Sequence, residues 1–276
     1  MQKSRMMRES RAENTLKGEI KMDKNYKNYI SLGYFCEVAQ DLEKLGLRNA
    51  SSPFDWGISY FPNVIDAIDK EFDGFLDYDN LSQNALNRAH YHEDKYHFYF
   101  FHDFDKYKSL DKQYASVKEK YWKRIKRFLN SIKDPSLFVK YISIEELDEN
   151  GKSIELTWIE NNRQHILDVL RRYNSENDIV YIGDETVNSD IIKIYHVPCD
   201  EGDRVSRLPI YNNNELFSIL SGVHFPGKEE NQHRYELKEK KKHSYITSLK
   251  NKTVHFLQRM FFKEYEYSKV YYIADK

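Results

Sequence analysis

Short hydrophobic strands that alternate with long amphipathic helices are the feature of this sequence that most restricts its fold. The strand-like segments are rich in aromatic and β-branched residues and cover Tyr29–Leu32, Tyr96–Phe101, Leu137–Ile142, Asp178–Ile182 and Ile191–Tyr195. Helical periodicity appears between them, over Phe61–Phe75, Ser109–Ile132 and Glu155–Tyr173. Because parallel strands need long crossover connections, this alternation predicts an α/β layered fold with a partly parallel sheet flanked by helices. A rearranged papain-like α+β fold is the alternative.

Chain length and composition indicate one domain with appendages. The 276 residues include 22 tyrosines and 16 phenylalanines, so we expect a core built from aromatic rings. Pro226-Gly227 marks the best boundary, because a dense mixed-charge run follows it. The sequence therefore predicts a disordered extension over residues 1–21, a catalytic domain over residues 22–225 and a charged, amphipathic appendage over residues 226–276.

Charge and hydropathy exclude several classes of protein. Lysine and arginine (43) nearly balance aspartate and glutamate (44), so no overall field selects nucleic acid. No run approaches the roughly 18 apolar residues of a membrane span, and residues 1–21 lack the apolar centre of a signal peptide. Two distant cysteines do not indicate a disulfide framework. We expect a cytoplasmic, reducing location.

Cys36 lies where a short strand breaks at Gly33 and a helix begins. The apolar residues of Glu37–Leu47 recur at helical spacing, and Gly46 supplies a left-handed stop. The unpaired N–H groups of a first helical turn favour an anion, so this position predicts a thiol with a lowered pKa that acts as a nucleophile. The alternative is that Cys36 is a small buried apolar residue.

Five segments of the sequence carry a resemblance to a known family. They are Ser31-Leu32-Gly33, Cys36, Leu45-Gly46-Leu47-Arg48, Ser51-Ser52-Pro53-Phe54-Asp55-Trp56 and Phe101-His102-Asp103-Phe104. Together they resemble a bacterial family of uncharacterised proteins assigned to the papain-like cysteine peptidases and associated with surface-polysaccharide biosynthesis. The resemblance covers roughly residues 28–142 and weakens up to about residue 220. It implies a thiol hydrolase, or an acyltransferase that uses a coenzyme A thioester.

The resemblance also implies site residues. Cys36 is the expected nucleophile, and His102, which follows a strand, is the expected base because imidazole exchanges protons near neutral pH. The group that orients the imidazole is left open among Asp103, Asp55 and Asp184. Contacts with substrate or cofactor are expected from Gly33, Tyr34, Arg48 and Trp56.

Other motifs are less specific. His90-x-His92 has a spacing that can bind zinc, but a solvated loop is favoured and no metal is expected. Cys199 lies beside acidic residues that would raise a thiol pKa. The basic helix face from Lys118 to Arg127 could bind phosphate, and the segment from Val254 to Phe262 could lie on a membrane surface.

Three functional classes remain open at the level of sequence. The first is a thiol enzyme that acts on an acyl group of a glycan or other small molecule. The second is a sugar- or nucleotide-handling transferase that holds phosphate at Gly33–Cys36, although no glycine-rich fingerprint supports it. The third is a binding module for glycans or proteins in which Cys36 is inert.

Overall fold

The structure, a computed structural model, describes residues 24–83, 91–105, 107–199 and 205–242. Its strands are β1 (Asn28–Ser31), β2 (Gly57–Ser59), β3 (Leu81–Gln83), β4 (Tyr91–Glu93), β5 (Phe98–Phe100), β6 (Ser136–Tyr141), β7 (Asp178–Asp184) and β8 (Ile194–Val197). Its helices are α1 (Glu37–Lys44), α2 (Phe61–Asp69), α3 (Leu110–Ser131), α4 (Ile154–Arg171) and α5 (Asn214–Ser221). Residues 228–242 are also helical.

The larger sheet is parallel and has the strand order β1-β6-β7-β8. Its register pairs Ile30 with Phe138 and Val139 with Val180. Every residue of β6 and β7 is buried, as expected for central parallel strands covered on both faces. The α/β prediction is confirmed, and the carboxyl ends of all four strands meet at one edge of this sheet.

Successive side chains along the parallel strands point to opposite faces of the sheet and contribute to two hydrophobic cores. Ile30, Phe138 and Ile179 point to the face covered by α2, α3 and α4. Their neighbours Leu137 and Val180 point to the opposite face, which α1 and α5 cover. Because side chains alternate between the two faces of a strand, the parallel sheet lies between two layers of helices. Helix α1, which follows Cys36, lies in the layer with α5.

A second, antiparallel sheet has the strand order β2-β5-β4-β3. Its β5 strand lies within the predicted strand Tyr96–Phe101, whereas the three-residue strands β2, β3 and β4 were not predicted. The ring centroid of Phe75 lies within 6.3 Å of the ring centroids of Tyr96, Phe98, Phe100 and Tyr121. The expected aromatic core is therefore present where this sheet packs on α3.

Helix α2 is shorter than its apolar pattern predicts. It ends at Asp69, and Glu71 adopts a left-handed backbone with a φ of 52°. The N–H of Phe72 then donates to the carbonyl of Ala67, which is the bond of a Schellman motif. Phe72 and Phe75 fit the apolar pattern because both are buried, although they lie beyond the end of the helix.

Part of the predicted appendage packs against α1. The Asn231 side chain donates to the carbonyl of Gly46, and Gln232 donates to the carbonyl of Leu45. The residues expected to be a disordered extension, 1–21, and those expected to contact a membrane, Val254 to Phe262, lie outside the described residues. The proposed division into domains stays a prediction.

Candidate active site

Cys36 is the N-cap residue of α1, directly after the segment that leaves β1. The helix ends as expected, because Gly46 has a φ of 74° and the Leu47 N–H donates to the carbonyl of Leu42 at 2.9 Å. The sequence therefore located both ends of this helix to within a few residues. The thiol lies at the carboxyl edge of the parallel sheet, where α/β proteins commonly bind ligands.

The electrostatic environment of the thiol is the reverse of the prediction. Burial, followed by the charge of Glu37, raises the pKa of Cys36 to about 12. The Sγ–H group donates to Oε2 of Glu37 at 3.7 Å. The expected low pKa was wrong because half-burial and an adjacent carboxylate both disfavour the thiolate, and together they outweigh the N–H groups at the helix start.

Glu37 is a candidate site residue that the sequence did not predict. Its pKa is raised, mainly by burial, while hydrogen bonds to its own backbone N–H and to the thiol oppose the shift. A carboxylate that accepts a hydrogen bond from a thiol and has a raised pKa is a stronger base than an exposed glutamate. The signal was available, since an acidic residue follows the cysteine in the first helical turn.

His102 and Asp103 lie beyond the end of β5. The protein around His102 lowers its pKa, chiefly by desolvation, so its imidazole is neutral at pH 7. No hydrogen bond joins His102 to the Cys36 sulfur within the described part of the chain. Asp103 instead accepts from the Tyr121 hydroxyl at 2.7 Å and pairs with Lys120 on α3. Asp103 therefore anchors the loop to α3, whereas an imidazole-orienting role had been considered for it.

Asp55 and Arg48 form a buried ion pair. Oδ2 of Asp55 accepts from Nε and Nη2 of Arg48 at 3.0 and 2.7 Å, and from the Ser52 N–H at 2.8 Å. Arg48 also pairs with Glu43 at 2.7 Å, and its guanidinium lies 5.3 Å from the Trp56 ring. Arg48 therefore holds this turn against α1, and Asp55 has a structural role where an imidazole-orienting one had been considered. Contact of Arg48 with a substrate or cofactor stays a prediction.

Gly33 and Tyr34 shape the turn between β1 and Cys36. Gly33 has a φ of 76°, and a Cβ there would lie 2.5 Å from the Ser59 hydroxyl, so a side chain at this position would be strained. Tyr34 is buried, and its hydroxyl donates to Glu145 at 2.5 Å. Both residues support the strand end by packing, and their contacts with substrate stay a prediction.

Several polar groups converge at the carboxyl edge of the parallel sheet. Burial, followed by the charges of Cys199, Asp184 and Glu37, raises the pKa of the Tyr141 hydroxyl. That hydroxyl accepts from the Ser206 N–H at 3.0 Å. The Asp184 carboxylate accepts from the N–H of Thr186 at 2.7 Å, which closes a turn instead of orienting His102.

The histidine-rich region is arranged around stacking. His92 lies 4.1 Å from Tyr99 between ring centroids, and its Nδ1 pairs with Asp94 at 2.8 Å. His90 lies outside the described residues. In the described ranges, no group of three or more His, Cys, Asp or Glu side chains is placed to hold a metal ion.

Comparison with known proteins finds a cysteine-peptidase family that matches the region containing Cys36. Residues 27–170 match the family described as "Putative papain-like cysteine peptidase". A curated relative, "Uncharacterized protein R408" of Acanthamoeba polyphaga mimivirus, is 32% identical over 120 residues, which are 36% of this chain and 54% of the relative. The chain thus matches about half the length of this viral relative. No solved structure matches this chain. None of the described helices is long and apolar enough to cross a membrane.

Proposed function

The chain belongs to the "putative papain-like cysteine peptidase" family, and from this premise we propose that it is an enzyme whose Cys36 thiol attacks an acyl carbonyl. The observation that carries the proposal is the Cys36–Glu37 hydrogen bond of 3.7 Å at the start of α1. It joins a nucleophile to a proton acceptor, at a position where backbone N–H groups of the first turn are available to a developing oxyanion.

The high thiol pKa decides how the nucleophile is activated. A pKa of about 12 leaves only about one thiol in 10⁵ ionised at pH 7. A resting thiolate–imidazolium pair is therefore not the ground state of this site. Instead, the proton has to leave Sγ as the S–C bond forms, which is general-base catalysis.

Glu37 is the base that the geometry supports best. In the first step Sγ bonds to the acyl carbon, the thiol proton passes to Glu37, and the leaving group departs with that proton. In the second step water attacks the thioester, gives a proton to Glu37 and releases the acid, and the proton returns to Sγ. His102 has the neutral imidazole that the same role needs, and it is the competing candidate.

Hydrolysis and transfer differ only in the second step. Water as the acceptor gives a hydrolase, in keeping with the family's description, whereas a sugar hydroxyl gives an acyltransferase. Arg48 was one of the expected contacts with a substrate or cofactor such as coenzyme A, and its guanidinium is bound to Asp55 and Glu43. Because Arg48 is occupied in this way, we favour hydrolysis over transfer from coenzyme A.

The proposal is tested by intact-protein mass spectrometry after incubation with p-nitrophenyl acetate or with acetyl-coenzyme A. We expect p-nitrophenyl acetate to leave one acetyl group on the wild type and on Cys199→Ser, but none on Cys36→Ala. An adduct from acetyl-coenzyme A would show that the thiol accepts an acyl group from this donor, which transfer from coenzyme A requires. Equal labelling of Cys36→Ala and wild type would contradict a nucleophilic Cys36.

A further inference from the structure

An open groove runs between α3 and the segment that follows α2. Its volume is about 590 Å³, within the range of sites that hold one small molecule. The buried side chains of Phe72, Phe75, Leu76 and Tyr121 form its floor. Its walls are more exposed and include Trp122, Ile125, Leu129 and Tyr173. None of these residues belongs to the cysteine site.

The backbone beneath the groove is strained. Phe72 and Leu76 have φ angles of 62° and 58°, and both follow Glu71, the left-handed residue at the end of α2. Side chains with a Cβ rarely adopt such angles, and a bulky aromatic residue does so at a cost. Such strain persists only where the surrounding structure imposes it and tends to cluster at binding sites. In this segment the left-handed conformations place the side chains of Phe72 and Leu76 on the floor of the groove.

The rim of the groove carries a small positive excess. Lys118 is neutralised by Asp77 at 3.0 Å. Lys126 lies 5.1 Å from the Trp122 ring, and neither Lys126 nor Lys133 forms an ion pair with any described residue. Glu71 offsets one of these two charges. A net charge of about +1 beside an apolar floor complements a single negative charge on an apolar body, and does not match a dianionic phosphate.

We propose that this groove binds an amphipathic carboxylate such as a fatty acid. The alkyl chain lies on Phe72, Phe75 and Leu76, and the carboxylate lies between Lys126 and Lys133. The exposed indole of Trp122 covers the chain beside the head group. This site is separate from Cys36 and does not depend on the proposed thiol chemistry.

Calorimetric titration of the full chain with decanoate, below its micellar concentration, tests the proposal. We expect saturable binding of one decanoate per chain, and at least fivefold weaker binding of the neutral 1-decanol. Lys126→Gln should weaken decanoate binding about fivefold, and Trp122→Ala should weaken both ligands. Both side chains are exposed, so these variants should fold.

Lys123→Gln is the matched control. Lys123 lies on the same helix but pairs with Glu119 away from the groove, so this variant should bind decanoate as the wild type does. Cys36→Ala should also bind normally, which separates this site from the catalytic proposal. The proposal would be overturned by the absence of saturable binding, by equal affinity for 1-decanol, or by decanoate binding that neither Lys126→Gln nor Trp122→Ala weakens.

Discussion

Two opposing effects act on the side chain of Cys36. The N–H groups at a helix start stabilise a nearby anion by about 0.3–1 kcal/mol, which is less than one pKa unit. Burial and the Glu37 carboxylate raise the thiol pKa from 9.0 to about 12, a change worth about 4 kcal/mol. The second effect is several times larger, so the thiol stays protonated even though it begins a helix.

Alkylation should report this balance directly. In a Cys199→Ser background, we expect iodoacetamide to modify Cys36 more slowly at pH 8 than it modifies glutathione, with a rate that still rises tenfold per pH unit up to pH 10. Glu37→Gln removes one of the two causes of the high pKa and should speed alkylation several-fold at the same pH. Rates measured by mass spectrometry between pH 7 and pH 10 would test both statements.

The hydrolysis rate of Glu37→Gln should change in the opposite direction to its alkylation rate. If Glu37 accepts the thiol proton, Glu37→Gln alkylates faster but hydrolyses p-nitrophenyl acetate at least tenfold more slowly. His102→Asn is the matched comparison and should change hydrolysis little. A large loss in His102→Asn with none in Glu37→Gln would instead assign the base to His102. Plateauing of the wild-type alkylation rate below pH 8 would contradict the high pKa.

Among the secondary-structure elements, α1 depends on contacts at its carboxyl end. Gly46 ends the helix in a left-handed conformation, and a Cβ at this position would lie 2.3 Å from the carbonyl oxygen of Lys228. Asn231 donates to the Gly46 carbonyl from the helical residues 228–242. The segment after Pro226 is thereby packed against the helix that begins at the thiol, and it cannot be removed without exposing the end of α1.

Gly46→Ala should therefore lower the free energy of unfolding more than the substitution of a glycine without such contacts. Gly151 is the matched control, since it has a similar φ of 78° but a Cβ there would meet no other described residue within 4 Å. We expect Gly151→Ala to lower the free energy of unfolding by about 1 kcal/mol and Gly46→Ala by at least about 2 kcal/mol. Denaturant unfolding measures both values.

Hydrogen exchange would show where the additional cost arises. Gly46→Ala should increase exchange in residues 228–242, because the new methyl group displaces the Lys228 carbonyl. Gly151→Ala should leave exchange there unchanged. Equal destabilisation by the two substitutions would mean that residues 228–242 are not held against α1 as the structure shows.

For the whole molecule, buried carboxyl groups influence how stability varies with pH. Glu93 is fully buried in β4, and burial raises its pKa from 4.5 to about 7, although the Tyr96 N–H donates to it at 2.8 Å. The folded state therefore binds a proton more tightly than the unfolded state does. This contribution is fully present below about pH 4.5 and is lost as the pH rises to about 7.

Glu93→Gln should flatten this part of the stability profile. Glutamine keeps the carbonyl acceptor for Tyr96 but carries no charge, so we expect it to be up to about 3 kcal/mol more stable than the wild type at pH 8 and nearly equal at pH 4. Asp79→Asn, an exposed carboxylate in the turn before β3, is the control and should change little. Thermal unfolding at several pH values tests this, and a variant that is less stable at pH 8 would contradict it.

The sequence by itself predicted the elements whose signals are local. Apolar periodicity located β1, β6 and β7 and helices α3 and α4, and the glycine at position 46 marked the end of the cysteine helix. It also identified Cys36 as the residue at the start of that helix. These predictions hold because periodicity and helix capping depend on residues within a few positions of one another.

Only the tertiary structure decided the chemistry of the site. The three-residue strands of the antiparallel sheet are too short to carry a period, and their pairing depends on distant partners such as Ser59 and Phe98. The roles of Arg48, Asp55 and Asp103 follow from the partners that folding brings to them. The thiol pKa, the Glu37 contact and the groove beside α3 likewise arise from burial and proximity, which depend on how the layers pack and which no local pattern encodes.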